Sequence, residues 1–176
     1  MGTRGKYGFY YNGKYYLFYN QFDSYPDGLG NDLLEHIKQL IRYCIQNKLN
    51  FFEYLAEKID AAKVVTDDDK PTEEDIKQFH FSTNMNVSNQ TTDDWYCLTR
   101  KSQGNIIDHL DTGIFYCDVT ESAKTDLFVE YVYVIDLKTH RFYEINGELG
   151  PIDLDKLIEA RELETSASVD EPVPQH

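Results

Sequence analysis

Hydrophobic and polar positions along this chain change period several times, and the changes mark its elements. Two aromatic-rich runs lie over 7–11 and 15–21, with Asn12-Gly13 between them. Runs of this composition bounded by a turn signal predict a pair of strands. Asn-Gly predicts the tight turn that joins them, because both central residues of a type I′ turn need positive φ. Tyr25-Pro26-Asp27-Gly28 then reads as a β-turn, with proline fixing φ at its second position and glycine closing it. The chain leaves that turn into a helix, so free N–H groups and a positive dipole end are expected near Asp23 and Ser24. Leu33, Leu34, Ile37, Leu40, Ile41, Cys44 and Ile45 recur at helical spacing and predict one long amphipathic helix. His36 lies beside that stripe and is expected to face solvent. Asn50 with Glu53 is the start signal of a second helix, whose Phe52, Leu55 and Ile59 face inward.

The segment 66–71 is charged and proline-terminated, a loop. Thr72 and Asp75 cap a short third helix carrying Ile76 and Phe79. Residues 82–92 are almost all Ser, Thr, Asn and Gln, an exposed connection or lid in which the sequons at Asn86 and Asn89 serve only as loop markers. Strand composition follows over 95–99, 114–119, 128–136 and 141–145. The run from Phe128 to Ile135 is apolar on both faces, which predicts a central strand paired through a tight turn with 141–145. Asp108, His109 and Asp111 fall in a polar connection and are expected to be solvated. Pro151 and Asp153 open a last helix lined by Leu154, Leu157, Ile158 and Arg161. Beyond it the residues lose all periodicity, so a globular domain over 1–163 and a flexible tail over 164–176 are expected.

Strands, helices, strands and a helix in that order predict an α+β fold: about six mainly antiparallel strands in one or two sheets, with helices packed on the faces. The alternative is a four-layer arrangement, two helix layers enclosing two sheets. The core is expected from the 33–45 stripe, Leu55, Ile59, Val132 and Val134.

Composition narrows the function. The 176 residues carry 31 acidic and 17 basic side chains, a formal charge of −14. That sign repels a phosphate backbone, so nucleic acid is not an expected partner. Neither a membrane-length apolar run nor a secretory signal is present in the pattern, so no membrane partner and a cytoplasmic location are expected. Cys44, Cys97 and Cys117 are odd in number, lack Cys-x-x-Cys spacing and sit in apolar patterns, as structural thiols do. The fourteen tyrosines, against one tryptophan, suit half-buried strand faces whose hydroxyls reach water. No catalytic, cofactor or metal-binding motif is present, which leaves enzymatic activity undecided and no cofactor or metal expected.

Gly2-Thr3-Arg4-Gly5, followed one hairpin later by Tyr19-Asn20-Gln21-Phe22-Asp23-Ser24-Tyr25-Pro26-Asp27-Gly28-Leu29-Gly30, carries a resemblance. It is similar to the opening of a group of uncharacterised proteins from large DNA viruses, bacteriophages and some fungi. These begin Gly-Thr-Arg-Gly and continue with Tyr-Asn-x-Phe/Trp-Asp-Ser-Tyr-Pro-x-Gly-Leu-Gly. The resemblance covers about the first thirty residues and implies a viral protein, in host cytoplasm or virion. Arg4 and Asp23 also resemble the arginine and aspartate of N-terminal-nucleophile hydrolases of the choloylglycine and penicillin acylase type. That likeness implies an amidohydrolase. This chain departs from it at Gly2, which has no side chain, and in the spacing of Arg4; Thr3 would need an extra cleavage to gain a free amine as its base.

The expected function is therefore a soluble intracellular binding or interaction protein without catalysis, recognising an unknown protein or small molecule, with the amidohydrolase as the alternative. The candidate ligand site is Arg4, Asp23, Ser24 and Tyr25, where glycines, a helix start and a fixed cation converge. The competing reading is structural: an Arg4–Asp23 ion pair closing a clasp between the first strand and the turn.

Overall fold

A computed structural model of the chain describes residues 2–79, 94–120 and 125–170, with side chains given through 166. The first hairpin forms as its composition and turn signal predict. Strands β1 (Gly5–Tyr11) and β2 (Lys14–Asn20) pair antiparallel around Asn12 and Gly13, both at positive φ. β1 then pairs in parallel with β5 (Tyr131–Asp136), which pairs antiparallel with β6 (Arg141–Glu144); β7 (Ile152–Asp153) closes the edge. The order is β2-β1-β5-β6-β7, so β5 is the central strand that its two-sided apolar run predicts. A separate parallel pair joins β3 (Lys63–Val65) to β4 (Ile114–Tyr116). The fold is α+β, and its main sheet is mixed, antiparallel except at β1–β5.

Odd residues of β1 face the helices. Tyr7, Phe9, Phe18, Tyr133, Ile135 and Phe142 form the main core. Against them pack α1 (Asn31–Gln46), α2 (Phe51–Ala61), α5 (Ile106–Thr112) and α6 (Leu154–Asp170). Leu33, Ile37, Leu40, Ile41 and Cys44 of α1 are all buried, as the stripe requires. The helices of this core thus lie on one face of the sheet rather than on both. On the other face Leu17, Val132 and Val134 form a smaller cluster flanked by Tyr10, Tyr15 and Tyr143. Long amphipathic rings here bury their bodies over the valines, so tyrosine content substitutes for a second helix layer. Among the described residues the second sheet has only two strands, so the four-layer alternative does not form.

Several expectations need correction. Residues 95–99 are not a strand: Asp94 accepts hydrogen bonds from the N–H groups of Tyr96 and Cys97 and caps the short helix α4 (Trp95–Leu98). A capping aspartate thereby overrides the strand composition of Trp-Tyr-Cys-Leu. The polar connection around His109 is likewise a helix, α5, capped by Asn105 and ended by Gly113 at φ 68°. In α2, Phe51 is the buried ring and Phe52 is half-buried, stacked on His140 at 3.6 Å between ring centres. β3 and β7 are too short for period to reveal. β4 ends at Tyr116, and only Asp118 beyond it bridges to Leu17. The third helix, α3 (Glu73–Lys77), forms with the expected reciprocal cap between Thr72 and Asp75. Asp75 also receives Lys63 at 2.8 Å, which ties β3 to α3. α6 continues to Asp170, past the boundary expected at Leu163. The polar connection over 82–92 and the end of the tail lie outside the described residues.

Candidate functional site

The motif over 19–30 is built as a turn whose polar groups bond to one another. Asn20, the last residue of β2, donates through Nδ2 to Ser24 Oγ at 2.8 Å and to the Phe22 carbonyl at 2.6 Å. The Ser24 carbonyl accepts from the Tyr133 hydroxyl at 2.7 Å, which fixes the turn to the central strand. Asp23 sits at φ 56°, a left-handed conformation that Asp and Asn tolerate. The Tyr25 carbonyl then accepts both Gly28 N–H at 3.0 Å and Gly30 N–H at 3.2 Å, and the Asp23 carbonyl accepts Leu29 N–H at 3.0 Å. Pro26–Gly30 is accordingly a single wide helical turn running straight into α1. Gly5 makes the interlock with the first motif: a β-carbon there would stand 2.7 Å from Ser24 Cβ.

This geometry redistributes the four candidate residues. The N–H groups of Gly28, Leu29 and Gly30, expected to be free for an anion, are bonded to backbone carbonyls. Ser24 is fully buried and serves the turn. Asp23 is exposed, and among the described residues it forms no ion pair with Arg4. A clasp exists, but it joins Asn20, Ser24 and Tyr133 instead of Arg4 and Asp23.

Arg4 and Tyr25 do come together. They line a cleft of about 540 Å³ with Phe22, Phe128 and Glu130, floored by Gly2, Thr3 and Gln21. Its rim is unusually apolar for a water-facing edge: Phe22 is 60% exposed, Tyr25 47% and Phe128 79%. Leu127, beside Phe128, is 96% exposed. Close approach is built in, because a β-carbon on Gly2 would lie 2.2 Å from the Phe22 ring. Glu130 N–H donates to the Arg4 carbonyl at 2.9 Å, holding the Phe128 loop against the start of β1. Asp126 turns that loop outward by accepting from Phe128 N–H at 2.9 Å.

Sequence reasoning missed Phe128 and Glu130 because they head a run whose composition is that of a strand. The signal available was Asp126, since an aspartate two residues before an apolar residue starts a turn. Among the described residues the cleft offers one guanidinium, one carboxylate and several ring faces, with no histidine or cysteine in its walls. Thr3, the residue that an N-terminal-nucleophile reaction would need, is 3% exposed.

Several of the other perturbed groups belong to the core. His109 is fully buried, stacked on Phe18 at 3.9 Å, with Nε2 2.6 Å from the Tyr7 hydroxyl. Burial lowers its pKa to about 3 and raises that of Tyr7, so both stay neutral. His36, expected in solvent, is half-buried; its Nδ1 is enclosed without a hydrogen-bond partner among the described residues, and burial lowers its pKa. None of the three cysteines is in a disulfide; burial pushes Cys44 up to about 11 and Cys117 up to about 12, which makes these two poor nucleophiles. No described helix is long and apolar enough to cross a membrane. No protein-family model matches the chain, and no curated protein or solved structure matches it either.

Proposed function

We propose that this is a non-catalytic binding protein whose recognition surface is the aromatic cleft around Arg4. The observation that carries the reading is the exposure of Phe22, Tyr25, Leu127 and Phe128 at one end of the sheet, around a single guanidinium. Contiguous apolar side chains left in water are uncommon on a chain with no use for them, and aromatic rings with arginine are the side chains that dominate binding energy. The occupant best suited to this surface is a protein segment with apolar side chains for the rings and a carboxylate or carbonyl oxygen for Arg4. Three cysteines outside any disulfide suit a reducing compartment, and with the motif resemblance they support a cytoplasmic or virion protein of viral origin.

The test is a footprint. Peptides selected on the folded chain from a displayed random library should shift the amide resonances of residues 2–4, 21–25 and 128–130. Selected peptides whose shifts map elsewhere, or a library that yields none, would count against the reading.

A further inference from the structure

A second cavity, of about 490 Å³, opens on the sheet face opposite the main core, where β1 and β2 meet α4 and the β3–β4 ladder. Tyr19, Tyr96 and Tyr116, with Leu17, Cys117 and Val119, give it ring and alkyl walls, and Lys6, Asp67 and Asp118 are among its polar lining. We propose that this cavity binds an organic monocation, a quaternary or alkylated ammonium, through the tyrosine faces and the carboxylates around them.

The rings are set for such a ligand. Tyr19 and Tyr96 stand 6.4 Å apart at 44°, the two walls of a corner. Tyr19 donates its hydroxyl to Gln21 Oε1 at 2.5 Å, and Tyr116 donates its own to Asp67. These bonds occupy the hydroxyls and leave the ring surfaces as lining. A phenol that donates to a carboxylate also carries more electron density in its ring, which strengthens its attraction for a cation.

Charge points the same way. Lys6 reaches into this cavity, but its ammonium lies 3.5 Å from Asp118 and 3.2 Å from Asp126. Asp67 and Asp94 both act on the Tyr116 hydroxyl, while the field of Arg4 reaches Tyr19. Among the described residues, Asp67 and Asp118 line the cavity against the one ammonium of Lys6, with Asp94 and Asp126 near the same tyrosine and lysine and Arg4 near Tyr19, on a chain that is itself strongly acidic. An anion would meet repulsion from most of the surrounding groups. A neutral apolar molecule would gain from the rings but not from the field. A soft, weakly hydrated cation gains from both and loses little on leaving water.

Titration of the full chain with choline and with its neutral carbon isostere, 3,3-dimethylbutan-1-ol, followed by NMR, tests the inference. Choline should shift the resonances of Tyr19, Tyr96 and Tyr116 and bind about tenfold more tightly than the alcohol. Tyr96→Leu keeps apolar volume without a ring face and should remove most of that preference. Asp67→Asn, in an exposed loop, should weaken choline and leave the alcohol unchanged, and it guards against misfolding of the tyrosine variant. Equal binding of the two probes, choline shifts confined to other residues, or no shift at all would overturn the proposal.

Discussion

The Asn20 side chain donates to Ser24 Oγ at 2.8 Å across the turn that separates the hairpin from α1. With the Ser24 carbonyl held by Tyr133, this bond makes the motif a joint between the hairpin, the central strand and the first helix. The motif residues thus divide by role. Asn20, Ser24, Gly5 and Gly28 hold the joint, while Arg4, Phe22 and Tyr25 are the side chains it presents.

Asn20→Ala should accordingly destabilise the chain by about 1–3 kcal/mol, because it removes the donor to the Phe22 carbonyl and leaves Ser24 Oγ only its 3.5 Å bond to the Asn20 carbonyl. Ser24→Ala should cost about 1 kcal/mol, since Asn20 retains the Phe22 carbonyl. Gly5→Ala should be worse than either, and Ser24→Gly should partly rescue it by vacating the space 2.7 Å from the new methyl group. Denaturant melts of the single and double variants check the coupling.

Arg4→Ala and Asp23→Asn should each change stability by no more than about 0.5 kcal/mol, because the two residues are exposed and unpaired with each other. Asn keeps the left-handed preference that position 23 needs at φ 56°. A loss of several kcal/mol in either variant would restore the ion-pair clasp.

His109 should make stability fall as the solution is acidified. Its pKa is lowered from 6.5 to about 3, so between those values the unfolded chain binds a proton that the folded chain refuses. The contribution is complete above the ordinary histidine value and is lost at about 1.4 kcal/mol per pH unit below it. His109→Gln, compared with the parent in urea melts across this range, should flatten the slope. An unchanged slope would mean that the imidazole is not held neutral.

Most of the architecture was legible from local signals: the Asn12-Gly13 hairpin, the α1 stripe and the Asn50 cap form where they are read, and the two-sided run forms β5 from Tyr131 onward, with 128–130 left in the loop before it. The misses have local causes. At 95–98 and 106–112 a capping Asp94 or Asn105 decides the element over too few residues for periodicity to speak, and His109 is buried only because α5 turns it onto Phe18. The site was half legible. Arg4 and Tyr25 carry their motif into the cleft, but Phe128 arrives from the loop before β5, brought there by the parallel pairing of β1 with β5, a contact between distant segments that no local pattern encodes.

The central claim is that the exposed rings around Arg4 bind a partner while the Asn20–Ser24 joint only supports them. Affinity of library-selected peptides for the parent and for the Phe22→Ala/Phe128→Ala variant, both checked by thermal melting, tests it most directly. The account predicts melting temperatures within a few degrees of each other and at least about a tenfold loss of peptide affinity in the variant. Equal affinity for the two folded proteins would contradict it.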